Sequence, residues 1–189
     1  MHYSSVTTAL IALVLGVNAY PSSSAAKYEV KERHAVPRSW QAVGPASKSQ
    51  LINLNIGLKR SNEGLVERHL VEISDPEHKR YGQHLSAAEI RKMVAPADDT
   101  VELVREWLAE HDVTTIGHSP SKDWISIVVP ISKAEELLQT EYSTFRHSNG
   151  DEISRAPEWS LPAHLHEHIE VVQPTVSFIT SDQGDWDMV

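Results

Sequence analysis

The stretch Leu51-Ile52-Asn53-Leu54-Asn55-Ile56-Gly57-Leu58 decides the fold of this chain. Apolar side chains occupy the even positions from residue 52 to residue 58, and Asn or Gly occupies the odd positions between them. A period of two is typical of a β-strand that buries only one of its faces. The stretch therefore predicts a strand in a sheet that is covered on one side.

Four segments with helical features follow this strand. The string Ser86-Ala87-Ala88-Glu89 is a capping box, in which the Ser and Glu side chains bond to free backbone N–H groups at the start of a helix. That helix should end at Val94, because Pro96 disfavours helical geometry in Ala95. The first predicted helix runs from Ser61 to the turn Ser74-Asp75-Pro76, with an apolar stripe at Leu65, Val66, His69, Leu70 and Ile73, and the second runs from Ser86 to Val94. The third runs from about Asp98 to His111, with Val101, Val104, Trp107 and Leu108 on one face. The fourth begins at a second capping box, Ser132-Lys133-Ala134-Glu135, and ends at Leu138.

Further strands are predicted between and after the helices. They cover Val113–His118, Trp124–Val129, Tyr142–Arg146, Glu152–Arg155 and an extended run Ile169–Ile179. Asn149-Gly150 predicts a type I′ turn before Glu152, and Pro174 requires that the last run lie at a sheet edge or break there. From Leu51 to Arg146, without the extra helices, the order is β-α-β-β-α-β. This order predicts an α+β fold, with a ferredoxin-like antiparallel sheet and helices packed on one face.

The composition excludes several classes of protein. The chain has 189 residues, with 17 Lys and Arg, 26 Asp and Glu, and no Cys. The acid excess argues against a general nucleic-acid-binding protein, and the lack of Cys excludes disulfides, thiolate catalysis and Cys-bound zinc. Residues 21–60 hold seven basic and two acidic side chains, whereas residues 130–189 hold three basic and eleven acidic ones. The basic arm is either a solvated linker or a surface that steers a partner.

The two ends of the chain differ from its centre. Ala9–Val17 is an apolar run of the length found in secretory signal peptides, and Val17-Asn18-Ala19 supplies the small residues of a cleavage site. We predict a signal peptide at residues 1–19, a flexible lead-in at 20–48, an ordered domain at 49–179 and an acidic tail at 180–189. The product would be secreted and free of the membrane, and retention of the apolar run as an anchor is the alternative.

Histidine is the unusual residue type, because eleven occur in the chain and His164, His166 and His168 lie close together. As neutral imidazoles they would suit zinc or copper, although solvated side chains are the simpler explanation. Histidine also changes charge between pH 7 and pH 5. Protonation of the ten that remain after signal removal would move the formal charge from −9 to +1. The three residues are therefore candidate pH sensors, unless the pH response is incidental to composition.

The sequence contains no catalytic elbow, phosphate-binding loop or dinucleotide fingerprint. It does contain several short motifs that follow one another along the chain. The motifs are Asp75-Pro76 and Tyr81-Gly82 within Ser74–Ser86, then Trp107-Leu108, Asp123-Trp124-Ile125, Thr140-Glu141-Tyr142, Phe145-Arg146-His147, Trp159-Ser160-Leu161-Pro162 and Val172-Gln173-Pro174-Thr175. In this order they resemble the activation domain, or pro-domain, of the sedolisin family of serine-carboxyl peptidases, which includes tripeptidyl peptidases and kumamolisins. The resemblance covers roughly Trp40 to Phe178.

The resemblance implies a compact pro-domain that helps a following peptidase domain to fold and covers its active-site cleft until acidic pH triggers processing. The family's catalytic Ser, Glu and Asp and its calcium site belong to that following domain. The resemblance therefore implies no catalytic residue, metal or cofactor in residues 1–189, and a sedolisin-type peptidase domain as the partner, in cis or in trans. It also implies structural roles for Asp75, Pro76, Tyr81, Gly82 and Trp124.

Covering a cleft calls for extended backbone, because a strand offers unpaired donors and acceptors to its partner. We expect Val172, Gln173, Pro174 and Thr175, together with the acidic tail, to form the covering segment. We also expect a monomer that binds no nucleic acid and is secreted or delivered to an acidic vacuolar compartment. The alternatives are a truncated product of a complete zymogen with serine-type peptidase activity, a stand-alone secreted inhibitor, and a His-rich metal-binding module.

Overall fold

The computed structural model of the chain describes residues 27–62 and 64–178. The predicted signal peptide and acidic tail lie outside these residues, as does Ile179. The described strands are β1 Tyr28–Arg33, β2 Trp40–Pro45, β3 Leu51–Leu58, β4 Gly117–His118, β5 Trp124–Pro130, β6 Ser143–His147, β7 Glu152–Arg155, β8 Glu158–Pro162 and β9 Ile169–Gln173. The described helices are α1 Leu65–Ser74, α2 Ala87–Val94, α3 Asp98–Glu110 and α4 Ile131–Leu138, and a 3₁₀ turn lies at Ala163–Leu165. The predicted α+β class is confirmed.

The central strand β3 has the alternation that its sequence predicts. Ile52, Leu54, Ile56 and Leu58 are all buried. β3 pairs antiparallel with β5 on one side and with β9 on the other, and β4 pairs with β5, so the sheet order is β4-β5-β3-β9. This antiparallel order is that of a ferredoxin-like sheet, in which the first strand lies between the third and the fourth.

The fourth strand of this sheet is not the predicted one. Its place is taken by β9, whereas the predicted strand Tyr142–Arg146 corresponds to β6, which pairs with β2 and β7 in a separate sheet. β1 and β8 form a third sheet of two strands. The alternation within a strand states which face is buried, but it does not state which distant strand is the partner.

The prediction of a flexible lead-in at residues 20–48 is wrong for residues 28–45. β1 pairs with β8, and β2 pairs with β6. Trp40, at the start of β2, is buried, and its ring centroid lies 4.9 Å from that of His147. Most side chains of β1 and β2 are exposed or half-buried, so the apolar period that would have marked these strands is missing from the sequence.

The capping predictions differ in outcome. The backbone N–H of Glu89 donates to the Ser86 hydroxyl, the Ser86 N–H donates to the Glu89 carboxylate, and α2 ends at Val94, so the first capping box is confirmed. The second is wrong, because α4 begins at Ile131, directly after Pro130, and no side chain caps it. β5 runs to Pro130 and leaves no loop in which Ser132 could cap.

Three other helices and strands have boundaries that differ from the predicted ones. α1 begins at Leu65 rather than Ser61, the strand predicted at Val113–His118 shortens to β4, and α3 ends at Glu110. The type I′ turn is wrong, since Gly150 has a positive φ of 101° and Asn149 does not. The turn is closed instead by the Gly150 N–H, which donates to the His147 carbonyl at 3.0 Å.

The core lies between one face of the four-stranded sheet and the helices α3 and α4. The predicted faces of α3 and β5 are buried in it, and side chains of the two smaller sheets extend it. Its largest fully buried side chains include Leu54, Ile56, Leu108, Ile125, Ile127, Ile131, Leu137, Leu138, Tyr142, Trp159, Leu161 and Leu165. The predicted packing of helices on one face of the sheet is confirmed, which leaves the other face without a helix in the described chain.

Candidate partner-binding face

The residues that pair across the uncovered side of the four-stranded sheet carry no charge, although Glu170 is exposed at the bulge of β9 and Glu32 lies at the border, in a cavity shared with Val171 and Gln173. We call this side the open face. Its residues alternate along each strand with the buried residues and pair with one another across the sheet. They are Leu51, Asn53, Asn55 and Gly57 of β3, Gly117 of β4, Trp124, Ser126 and Val128 of β5, and Val171 and Gln173 of β9. Protein surfaces that bind partners are depleted of charge at their centre, whereas an ordinary solvated sheet face carries charges. The open face therefore has the composition of an interface.

The open face also exposes apolar side chains. Leu51 is 65% exposed and Val128 is 64% exposed, so both present apolar surface to solvent. At its centre the Ser126 hydroxyl donates to the Asn55 carboxamide oxygen at 2.7 Å, so neighbouring polar groups already satisfy one another. A partner could cover this region without leaving a buried charge unpaired.

Gly57 allows two larger side chains to lie across the open face. A Cβ at this position would stand 2.8 Å from Val171 Cγ1 and 3.3 Å from the Trp124 ring. Trp124 is half-buried for this reason, since it lies against the glycine instead of pointing into solvent. Trp124 was predicted as a structural residue of the family motif, and the structure places it on the open face.

Gly57→Ala should therefore destabilise the fold. The added methyl must displace Val171 and the Trp124 ring, at a cost of about 1–3 kcal/mol in the free energy of unfolding. Urea denaturation measures this loss. Gly117→Ala is the matched control, because its Cβ would come no closer than 3.6 Å to Ser126, and equal losses in the two variants would show that Trp124 and Val171 do not lie over Gly57.

The predicted covering segment is divided by the structure. Val172 and Thr175 are buried in the protein's own core, whereas Gln173 is exposed on the open face and Pro174 is half-buried. Of the four side chains, only Gln173 and Pro174 could contact a partner. β9 is an edge strand of its sheet and ends before Pro174, as the proline predicts.

The buried half of this segment is fixed by a tyrosine that sequence reasoning missed. The Tyr142 hydroxyl lies 2.9 Å from the Thr175 hydroxyl. Burial raises the pKa of Tyr142 to about 12, and the hydrogen bond to Thr175 offsets only part of that effect. The Thr140-Glu141-Tyr142 motif was the only signal for it, and a motif does not state which atom the hydroxyl meets.

Tyr142→Phe should change how stability depends on alkaline pH. The folded chain holds the tyrosine proton more tightly than the unfolded chain does, so this contribution is intact below pH 10 and is lost as the pH rises towards 12. Between these pH values the wild type should lose on the order of 2 kcal/mol that the variant does not lose. Urea denaturation from pH 8 to pH 11.5 measures the difference, and parallel stability curves would contradict the assignment.

The three candidate pH-sensing histidines point to different partners. His164 is exposed, His166 Nε2 lies 3.2 Å from the Glu29 carbonyl oxygen, and His168 Nδ1 lies 2.8 Å from the Thr100 hydroxyl. Among residues 27–62 and 64–178 there is no cluster of three His, Asp or Glu side chains that could hold a metal ion. The described structure therefore does not bring these histidines together as a metal site, and the metal-binding alternative and the role in pH sensing stay predictions.

The family-motif residues after α1 shape a loop. The Asp75 carboxylate accepts from the Glu77 N–H at 2.9 Å, and Gly82, with a φ of 70°, donates its N–H to the Ile73 carbonyl at 3.0 Å. A positive φ favours glycine at this position. Tyr81, by contrast, is exposed. Asp75 and Gly82 thus both bond within this loop, and the structural roles that the resemblance implies for the motif stay predictions.

No helix of the described chain is long and apolar enough to cross a bilayer. The longest of them, α3, has 13 residues.

Comparison with known proteins identifies a family. A family model described as "Pro-kumamolisin, activation domain" matches residues 38–178. Tripeptidyl-peptidase sed1 of Aspergillus fumigatus is 34% identical over 172 residues, which are 89% of this chain and 26% of that protein. Probable tripeptidyl-peptidase SED3 of Trichophyton verrucosum is 32% identical over 151 residues, 79% of this chain and 26% of its own length.

The matches cover most of this chain but only part of each relative. The chain spans about a quarter of the length of the curated relatives it matches. The family match begins at residue 38, so the predicted start of the domain at residue 49 is too late, in agreement with the presence of β2.

Proposed function

This chain belongs to the family of pro-kumamolisin activation domains, and we propose that it acts as the pro-domain of a sedolisin-type serine-carboxyl peptidase. In that role it assists the folding of the peptidase domain and covers the active-site cleft of that domain. We propose further that residues 1–189 have no peptidase activity of their own, that the product is secreted, and that it works in an acidic environment. The partner is a peptidase domain in cis or in trans.

The observation that carries this proposal is the uncharged open face. The matched relatives are about four times longer than this chain. The segment of such a relative that matches this chain therefore needs a surface that contacts the rest of the protein. The open face offers exposed Leu51 and Val128, half-buried Trp124, and paired polar groups between them. It supports a docking role because its burial would remove apolar surface from water without desolvating a charge.

Edge strand β9 supports a second point of contact. Its outer side has no neighbouring strand among the described residues, so its backbone groups, apart from the Val172 carbonyl that accepts the Thr175 N–H, could pair with an extended segment of a partner. Gln173 and Pro174 are the residues of the predicted covering segment whose side chains remain accessible. We propose that these residues, rather than Val172 and Thr175, approach the cleft.

Release at low pH is part of the proposal. After removal of the predicted signal peptide, a chain with a formal charge of −9 at pH 7 gains up to ten positive charges as its remaining histidines are protonated. His166 Nε2 lies against the Glu29 carbonyl oxygen and His168 Nδ1 lies against the Thr100 hydroxyl, so both rings make contacts within the fold. A partner that is complementary at neutral pH would therefore be bound less tightly in acid.

Binding measured at two pH values tests this proposal. The partner is Aspergillus fumigatus tripeptidyl-peptidase sed1 that has folded as the full-length protein and from which the segment that matches this chain has then been removed, which we call truncated sed1. We expect a dissociation constant below 1 μM at pH 7, corresponding to about −8 kcal/mol, and at least tenfold weaker binding at pH 4. Equal affinities would remove pH-dependent release, and no binding at either pH would remove the covering role.

A further inference from the structure

A cavity of about 210 Å³ lies between α1 and α2. We call it the α1–α2 cavity. Its apolar wall consists of Val66, Leu70 and Ile73 of α1, Leu85 of the loop between the helices, and Ile90 and Met93 of α2. None of the residues that line it belongs to the main core or to the open face. The cavity is therefore part of a separate apolar cluster, and a substitution in it leaves the packing of the main core in place.

Only two of the described residues that line the α1–α2 cavity have polar side chains, His69 and His84. His84 is exposed, whereas His69 is only 6% exposed. Within residues 27–62 and 64–178, neither Nδ1 nor Nε2 of His69 has a hydrogen-bond partner. The nearby Glu89 carboxylate is bonded instead by the backbone N–H and the hydroxyl of Ser86. A buried polar group without a partner is unfavourable, so its presence in a folded protein calls for an explanation.

His69 interrupts an otherwise apolar face of α1. Val66, Leu70 and Ile73 have the spacing of one helix face, and His69 stands on the same face. A leucine at this position would complete the apolar contact between the two helices and leave no buried polar group unpaired. The imidazole therefore indicates recognition of a ligand rather than packing of the helices.

The size and the lining of the α1–α2 cavity restrict its ligand. Apolar cavities of about 150 Å³ take up a benzene ring, so a volume of about 210 Å³ admits one aromatic ring and few further atoms. No Asp, Glu, Lys or Arg of the described chain lines the cavity, so a charged ligand would lose its hydration without gaining a counterion. Met93 supplies a thioether, which makes favourable contacts with aromatic rings. The cavity thus suits a neutral ligand with a single aromatic ring.

The imidazole of His69 determines which polar group that ring carries. A neutral imidazole has one N–H donor and one acceptor nitrogen, and a hydroxyl group can bond to either of them, whereas an indole N–H can only donate. We propose that the α1–α2 cavity is a binding site for a phenol, with the ring against the apolar wall and the hydroxyl hydrogen-bonded to His69. A free phenolic molecule and a tyrosine side chain of another polypeptide share this chemistry. The site does not depend on the proposed function.

Titration of the purified chain with p-cresol and with toluene tests this site, because the two molecules differ only in the hydroxyl group. The NMR signals of the Met93 methyl group and of the His69 ring report binding at pH 8, where imidazole is normally neutral. We expect p-cresol to bind with a dissociation constant of about 1 mM or lower. Toluene should bind about tenfold more weakly, because it cannot form the hydrogen bond. Equal binding of the two molecules, or no binding of p-cresol, would overturn the proposal.

Two substitutions test whether the hydroxyl bonds to His69. His69→Leu removes the imidazole at similar volume, so this variant should bind p-cresol and toluene equally. His84→Leu is the matched control, because it removes the other imidazole of the cavity, and it should keep the preference of the wild type for p-cresol. Retention of the preference in His69→Leu, or its loss in His84→Leu, would overturn the role of His69.

Met93→Trp replaces His69→Leu if that variant does not fold. The larger side chain occupies the cavity and leaves His69 in place, so p-cresol should bind about tenfold more weakly. Unchanged binding of p-cresol to folded Met93→Trp would show that the ligand does not lie between α1 and α2.

A blocked tyrosine, N-acetyltyrosine methylamide, distinguishes the two sources of the phenol. Binding as tight as that of p-cresol, or tighter, assigns the site to tyrosine side chains of a polypeptide, and weaker binding assigns it to free phenolic molecules. These titrations contain no peptidase, so the phenol site and the proposed function can fail independently of each other.

Discussion

Val128→Lys should weaken binding to the truncated Aspergillus fumigatus sed1 by about 30- to 1,000-fold, because an interface would bury the new charge without a partner at about 2–4 kcal/mol. Val128 is 64% exposed on the open face, so the lysine has room in the isolated chain. The free energy of unfolding should change by no more than about 0.5 kcal/mol. Calorimetric titration and urea denaturation measure the two quantities separately.

Val43→Lys is the matched control for this prediction. Val43 is 47% exposed on β2, outside the open face. We expect its binding to equal that of the wild type. Similar weakening in both variants would mean that the open face is not the docking surface, and unchanged binding of Val128→Lys would lead to the same conclusion.

Trp159→Ala should remove about 3–5 kcal/mol from the free energy of unfolding. Trp159 is 0% exposed, and its Nε1 donates to the Glu32 carboxylate at 3.0 Å. The substitution leaves a large cavity and takes a donor from Glu32, which also lies 2.8 Å from His34 Nε2. Since domains of this kind have about 5–15 kcal/mol in total, the midpoint of urea denaturation should fall far below that of the wild type.

Trp124→Ala provides the comparison for Trp159→Ala. Trp124 is only half-buried, because it lies on the open face against Gly57, so its loss should be clearly smaller than that of Trp159. Similar losses for the two tryptophans would mean that the open face is packed as tightly as the core. A loss below about 1 kcal/mol for Trp159→Ala would contradict its place in the core.

The sequence predicts those parts of the fold that local periodicity controls. The buried row of β3, the capping box of α2 and the apolar face of α3 depend on neighbours within a few residues, and the structure confirms each of them. The role of β9 as fourth strand depends on pairing with β3, more than a hundred residues earlier in the chain. No pattern within residues 169–173 states that pairing, and β6 has an equally strand-like sequence.

The candidate site was harder to predict than the core. Asn53, Asn55 and Gly57 are the odd positions of the stretch that predicts β3, and its alternation predicts only that they face away from the covered side. Their significance comes from the uncharged residues of β5 and β9 beside them, which only the register brings together. The covering segment was found as an extended run, but burial of Val172 and Thr175 depends on contacts such as that with Tyr142.

Titration of the purified chain at pH 7 into the truncated Aspergillus fumigatus sed1, with cleavage of a short peptide as the readout, tests the central claim most directly. We expect cleavage to fall to background at one equivalent of chain, and the chain alone to cleave nothing in a preparation free of host protease. Full cleavage in the presence of a tenfold excess of folded chain, or cleavage by the chain itself, would contradict its role as a cover for a peptidase domain.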